Sequence, residues 1–242
     1  MKIIPSTRLY HPEAGNPFIH ASDEDTLAVQ RVLRLRTGER VICFSGDGME
    51  YFYLIEAVES RALCLSLLES QPNARDPRRQ LTVCIASTKG RTKDRMVKDL
   101  TPLGVSRIVF YEAERSVAKP EPKQQERLWK IAVEACRQCG RSTVPQVDSI
   151  PAGLPELWAQ EQFNPKQVIL FWERAAVEPF SLPFPEGAQT LLFGPEGGFS
   201  EAEIAFLQGQ SLQTASLGRR ILRSELAVVV GVTLVQAQRD LY

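Results

Sequence analysis

Histidine is nearly absent from this 242-residue chain: His11 and His20 are the only two, and both lie near the N-terminus. That speaks against a histidine-based catalytic triad and against a histidine-rich metal site. No uninterrupted apolar run approaches the roughly 20 residues a membrane span needs. The opening MKIIPSTRLYHPEAG has no long apolar core of the kind a secretory signal carries. The expectation is a cytoplasmic protein with no membrane partner. Net charge is missing as well, since 29 Lys+Arg balance 29 Asp+Glu, so the chain average does not point to nucleic acid. The five cysteines (Cys43, Cys64, Cys84, Cys136 and Cys139) are odd in number and mostly sit in apolar strand-like runs, which reads as free thiols in a reducing compartment. Cys136 and Cys139 form a C-x-x-C, a pattern known from redox pairs and zinc sites. It falls on a continuous helical pattern with no second pair to complete a tetrahedral site, so no metal is expected.

What is present is ordinary globular composition, 43% hydrophobic and 24% charged, with an uneven distribution of charge. Residues 1–70 carry 7 Lys+Arg against 10 Asp+Glu, residues 75–98 carry 8 against 2, and residues 99–242 carry 14 against 17. One compact basic block therefore sits on a neutral chain. A charge run is usually a solvated helix face. Here Lys89, Arg91, Lys93, Arg95 and Lys98 open a helix pattern, where the dipole disfavours cations, and that suggests an anionic partner such as phosphate.

The rhythm of the chain changes once. Residues 23–36 read as a helix capped by Ser22, followed by short strands at Val41–Phe44, Tyr51–Val58 and Ala62–Leu68, with Gly46-Asp47-Gly48 as a hairpin turn. Closely spaced strands suggest a small barrel. The stretch Gln71–Gln80 is the best linker. Beyond it, strands at Leu81–Ala86, Arg107–Tyr111, Val168–Trp172 and Leu191–Phe193 alternate with helices at Arg91–Leu100, Gln124–Gln138, Glu201–Leu207 and Ile221–Gln238. That alternation predicts a mostly parallel α/β sheet. The proline-rich stretches 151–155 and 179–185 read as loops.

Two strand–loop–helix corners carry most of the chemistry. In LLFGPEGGFSEAEI, Gly194, Pro195, Gly197 and Gly198 bracket Glu196, which reads as buried, and Ser200 with Glu203 forms a capping box. In SLGRRILRSELA, Arg219, Arg220 and Arg223 crowd a helix start and Glu225 follows. Corners of one α/β sheet face a common ligand-binding edge, and Glu173 closes the strand Val168–Trp172 near it. The glycine turn lacks both the G-K-[ST] ending of a phosphate loop and the G-x-G-x-x-G of a dinucleotide fold.

GPEGGFS followed by LGRRILRSELA resembles the signature of the SPOUT-class methyltransferases, and specifically the RsmE family. The similarity runs the whole chain through RLYHPE at Arg8–Glu13, RVLRL at Arg31–Leu35, FSGDG at Phe44–Gly48, LGVSRI at Leu103–Ile108, ERSV at Glu114–Val117 and CRQCGR at Cys136–Arg141. The resemblance implies a PUA-like β-barrel RNA-binding domain over 1–72 and an α/β domain with a deep trefoil knot over 73–242. It implies S-adenosylmethionine as cofactor, methylation of N3 of a uridine in small-subunit (16S) ribosomal RNA, the RNA or the small subunit as partner, and a homodimer. Carried over by position, the cofactor residues are Phe171, Trp172 and Glu173, then Gly194, Pro195, Glu196, Gly197 and Gly198, then Leu217, Gly218, Ile221, Leu222 and Arg223. Ser224 stands where the family usually has threonine, Trp172 where histidine is frequent, and Pro102 and Asp99 replace a usual glutamate and lysine.

Uridine N3 carries a proton at neutral pH, so its methylation calls for a base and for stabilisation of charge on the ring carbonyls. Arg223 is the expected stabiliser, and Glu225 either accepts the proton or orients Arg223; alternatively the two form a helix-start ion pair. N3 lies on the Watson–Crick edge, so the base must be unpaired or flipped. Lys89, Arg91, Lys93 and Lys98 of the basic block, with Arg8, Arg31, Arg34 and Arg115, are the expected backbone contacts. Two other readings share parts of this pattern: a SPOUT enzyme methylating a ribose 2′-hydroxyl of tRNA or rRNA, and a non-catalytic RNA-binding ribosome-assembly factor.

Overall fold

The computed structural model describes residues 7–21, 34–60, 62–175 and 189–238, which form two compact units. The first unit comprises Met1–Asp76 together with Cys136–Val144, and the second comprises Pro77–Ala135 and Pro145–Tyr242.

In the first unit, strands β1 (Arg8–Tyr10), β2 (Phe18–Ala21), β3 (Arg40–Phe44), β4 (Met49–Val58) and β5 (Leu63–Pro72) form one sheet in the order β1-β3-β4-β5-β2. All neighbours are antiparallel except β1 and β3. The long β4–β5 ribbon shifts register at Phe52/Tyr53 and Ile55/Ala57, irregularities that bend a strand. Leu9, Ile19, Val41, Cys43, Tyr53, Ile55, Leu63 and Leu65 make its core. This is the small barrel-like sheet the strand spacing predicted. Strands β1 and β2, only three and four residues long and so too short to show a pattern, were not expected.

Polar contacts fasten the returning segment Cys136–Val144 within this unit. Arg8 is buried, pairs with Glu50, and donates to the carbonyl of Arg141 at 3.1 Å and to Ser142 Oγ at 3.0 Å. Asn73 donates to the carbonyl of Gly140 at 2.7 Å, and Asp76 accepts the amides of Ser142 and Thr143 at 2.9 Å. Cys136 is buried there, and burial pushes its thiol up to about 12, away from the thiolate that redox or metal chemistry needs.

The second unit is a six-stranded sheet, all parallel. Its strands are β6 (Leu81–Ala86), β7 (Arg107–Tyr111), β8 (Gln146–Ile150), β9 (Val168–Phe171), β10 (Gln189–Phe193) and β11 (Gln213–Ala215), ordered β11-β9-β10-β6-β7-β8. Every residue of β9 is buried, and β6 and β10 each have one half-exposed threonine among buried neighbours. Continuous apolar strands are what a parallel sheet covered on both faces requires. The described α-helices are α1 (Gly90–Leu100), α2 (Gln125–Cys139), α3 (Leu154–Glu161), α4 (Glu201–Gly209) and α5 (Ser224–Gln238), with short 3-10 turns at Pro122–Gln124 and Pro165–Gln167.

Several expectations are corrected. Helix α3 begins inside the stretch read as a loop, because Pro155 falls in its first turn, where no amide partner is lost. The C-terminal helix starts at Ser224 rather than Ile221. Of the helix expected over 23–36, the described residues 34–36 are not helical, and Arg34 has φ 51°, a left-handed conformation. The remainder of that expected helix, with Arg31, lies outside the described residues, as does the expected loop over 179–185. The connection from β9 to β10 includes residues 176–188, which likewise lie outside them, so the described residues give no continuous path on which to follow the expected trefoil knot.

Candidate cofactor pocket

Parallel strands end at one edge, and at this edge the loops after β9, β10 and β11 converge on a cavity of about 600 Å³. Clefts of this size hold ligands of a few dozen atoms. Phe171, Trp172 and Glu173 come from the end of β9, Phe193–Phe199 from β10, and Leu217, Gly218 and Arg220–Glu225 from the segment leading into α5. The structure thus brings together all of the expected cofactor residues. Sequence reasoning missed Phe193, Phe199, Arg220, Ser224 and Ala227 in this lining. Phe193 could not be found by periodicity, because a strand buried on both faces does not mark which side meets a ligand.

The apolar part of the cavity is built by Phe171 and Phe193, whose rings stack in parallel at 4.7 Å. Helix α5 lies against them at Gly231, where a Cβ would come within 2.7 Å of Phe193 and 3.2 Å of Phe171. Phe199 folds over Gly194, where a Cβ would lie 2.7 Å from its ring. Gly218, at φ +105°, has open space where a Cβ would be, so backbone there is free for close approach by a ligand. Ser224 is buried at the start of α5, and its Oγ has no hydrogen-bond partner among the described residues. A buried hydroxyl without a partner costs free energy unless a ligand or water supplies one.

The charged residues distribute in a way composition could not show. Glu196 is exposed at the lip of the turn, not buried; the buried glutamate of this corner is Glu203, 7% exposed, which completes the capping box with Ser200. Arg223 is exposed and Glu225 half-buried, and the two form no ion pair with each other or with any other described residue. Lys89, Arg91 and Lys98 are exposed on α1, whose first turn contains no acid. Arg34 is exposed in the first unit. Arg115 is exposed, with its guanidinium 3.4 Å from the carbonyls of Gly197 and Phe199.

Two expected RNA contacts lie elsewhere. Lys93 is 1% exposed, with its ammonium 3.5 Å from the carbonyl of Lys119 and 5.5 Å above the Phe110 ring, and burial pushes its pKa down. Arg8 is engaged by Glu50, Arg141 and Ser142 as described. Both are long side chains whose stems reach apolar surroundings, so a linear sequence shows their charge and hides their burial. Among the described residues no cluster of metal-ligating side chains occurs.

Comparison with known proteins follows from this geometry. A family model described as RNA methyltransferase domain matches residues 75–236, and one described as RNA methyltransferase PUA domain matches residues 29–68. Ribosomal RNA small subunit methyltransferase E of Bacillus subtilis (strain 168) is 31% identical over 239 residues, covering 93% of this chain and 92% of the relative. The protein of that name from Helicobacter pylori (strain J99) is 26% identical over 231 residues, 94% of this chain and 98% of its own length. A crystal structure of the Neisseria gonorrhoeae enzyme of that name, bound to S-adenosyl methionine, superposes with a TM-score of 0.86 at 26% identity, covering 96% of this chain and 97% of that one. A Legionella pneumophila protein solved in complex with the cofactor SAM gives a TM-score of 0.80 at 27% identity, with 97% and 98% covered.

The contact at Gly231 is directly testable. Helix propensity favours alanine over glycine by about 1 kcal/mol, yet Gly231→Ala is expected to destabilise the protein by about 1–3 kcal/mol through overpacking on the ring pair. Chemical denaturation measures this, and a stabilised variant would show that the helix has room to spare.

Proposed function

The chain belongs to the ribosomal RNA small subunit methyltransferase E (RsmE) family, and from that premise we propose that it is an S-adenosylmethionine-dependent methyltransferase acting on N3 of a uridine in small-subunit (16S) ribosomal RNA. The observation that carries this is the cavity at the sheet edge, with its stacked phenylalanine wall, open glycine backbone and partnerless Ser224 hydroxyl beside unpaired Arg223. These features fit a cofactor with an aromatic base, a sugar and a charged amino-acid tail. Phe171–Glu173, Gly194–Gly198 and Leu217–Arg223 would hold it, with the Glu173 carboxylate available for hydroxyl or amine groups.

When bound, S-adenosylmethionine supplies an activated methyl group on a sulfonium, so no metal is needed. The chain's own residues prepare the nucleophile. Arg223, without an ion-pair partner among the described residues, presents its guanidinium to the negative charge that builds on the uracil carbonyls as N3 loses its proton. Glu225 is half-buried two residues on and makes no ion pair with it, which favours proton acceptance by Glu225 over a role in orienting Arg223.

The exposed Lys89, Arg91, Lys98 and Arg115 of the second unit, and the exposed Arg34 of the first, are the proposed phosphate contacts. Lys93 and Arg8 have no part in this, because their charges are buried. The homodimer has its best support on α5, where Leu226 is 49% exposed beside half-exposed Val229 and Val230, and Ile221 just before the helix is 87% exposed. An apolar stripe of this kind on a helix start is a surface for a second copy. No described helix is long and apolar enough to cross a membrane, and the proposed action on ribosomal RNA supports a cytoplasmic location.

Calorimetric titration with S-adenosylmethionine is expected to show micromolar binding, and Arg223→Ala should lower kcat by about 100-fold or more at saturating cofactor. An Arg223→Ala enzyme with full turnover would remove the role given to that side chain. Combined Lys89→Ala, Arg91→Ala and Lys98→Ala should lower the slope of log K against log salt by about 2, at roughly 0.7 per phosphate contact on single-stranded RNA; an unchanged slope would place the RNA elsewhere. Leu226→Glu should convert a dimer to a monomer in sedimentation velocity, and a dimer that survives the change would move the interface off α5.

A further inference from the structure

Strand β7 does not line the cavity, yet the segment that follows it is fastened to the loop that does. The Tyr111 hydroxyl, fully buried, donates to the carbonyl of Phe193 at 3.0 Å, holding the last carbonyl of β10 in place. Three residues further on, the amide of Glu114 donates to Glu203 Oε1 at 2.9 Å, a contact between residues 89 apart in the chain. Glu203 Oε2 accepts the amide of Ser200 at 2.9 Å, and the Glu203 amide donates to Ser200 Oγ at 3.2 Å. A capping box needs one carboxylate oxygen. In this one the other oxygen reaches across to a different loop.

Arg115 adds a second fastening. Its Nη1 is 3.4 Å from the carbonyl of Gly197 and 3.4 Å from that of Phe199, bracketing the end of the glycine turn. A Cβ on Gly197 would lie 3.4 Å from Arg115 Cβ and 3.7 Å from its carbonyl oxygen, ordinary contact distances that show the two segments lying side by side. Both contacts come from one nitrogen, whose N–H directions are fixed by the planar guanidinium, whereas a lysine ammonium rotates freely on a shorter reach.

We propose that Glu203 and Arg115 are positioning residues that raise cofactor affinity by fixing the Gly194–Phe199 loop to the Ala113–Ser116 segment, a role that rests on the S-adenosylmethionine reading of the pocket. Neither residue lines the cavity. They act by ordering the loop before the ligand arrives, so that binding does not bear that entropy. Arg115 thereby works on the cofactor side of the site, whether or not it also meets RNA.

The test uses the full-length protein without RNA, because an arginine that serves only RNA leaves cofactor affinity untouched under that condition. Ser200→Ala removes the hydroxyl of the cap and keeps the Glu203–Glu114 contact; Glu203→Ala removes both. Titration calorimetry should place Ser200→Ala within about twofold of the unmodified protein, and Glu203→Ala about tenfold weaker, the size of effect that 1.4 kcal/mol produces. Arg115→Ala should weaken binding several-fold, with Arg115→Lys recovering only part. Hydrogen exchange of the ligand-free protein should show faster exchange at residues 195–199 in Glu203→Ala than in Ser200→Ala. Should Glu203→Ala fail to fold, Glu203→Gln, which keeps a single acceptor oxygen, takes its place. Unchanged affinity in both Glu203→Ala and Arg115→Ala, or equal exchange in the Ser200 and Glu203 variants, overturns the proposal. Failure of the unmodified protein to bind overturns the cofactor reading itself, and this proposal with it.

Discussion

Helix α5 can lie directly on the rings of Phe171 and Phe193 because residue 231 has no side chain. That close approach sets the depth of the cavity at the sheet edge. The two rings come from adjacent strands, β9 and β10, and are register partners, so their parallel stacking follows from the parallel pairing of those strands. The start of α5 then falls at the cavity mouth, which brings Arg223, Ser224 and Glu225 into its lining. Phe199 performs the complementary service from the other side by packing on Gly194. Glycines at 194 and 231 thus act through absent volume, a different reason from the positive φ that requires glycine at 218.

Most of the second unit was legible in the sequence because its local signals agree. Apolar runs flanked by turn residues gave β6, β7, β9 and β10, and Ser200 followed by Glu203 gave the start of α4. The elements that escaped are weak locally. Strand β11 is three residues long, with two of them only half-buried, and exists because β9 offers it an edge. Strand β8 begins with an exposed glutamine and carries Asp148, which Arg107 binds at 2.7 Å; pairing with β7 and this ion pair make it a strand, not its composition. Two loops of the site were visible as glycine and arginine clusters; the third, with Phe171, came from the family resemblance, and its ring partner Phe193 was missed.

Charge was the least readable quantity. Lys93 and Lys89 belong to one basic run, yet one ammonium lies over an aromatic ring inside the unit and the other is in solvent. Lys89 is the N-cap in extended conformation, outside the helix, whereas Lys93 lies within it and is buried with Met96 and Val97. Arg8 shows the same effect on a strand, where it and the neighbouring Leu9 are both buried and Glu50 neutralises its charge. A count of basic residues therefore overstates the surface available to an anion.

The place of β10 in the sheet has a kinetic consequence. It lies between β6 and β9, with Leu81 and Gln189 as register partners from distant parts of the chain. A strand that must enter between two others closes large loops before it gains any pairing, which is the slow kind of topology. During synthesis β6, β7, β8 and β9 all emerge earlier, and the β10 edge of β6 and β9 stays open until residues 189–193 arrive. The cavity wall is completed by that same insertion. A ligand of the finished cavity therefore has no purchase on the half-built sheet; it cannot speed assembly, and acts only by holding the completed fold against unfolding.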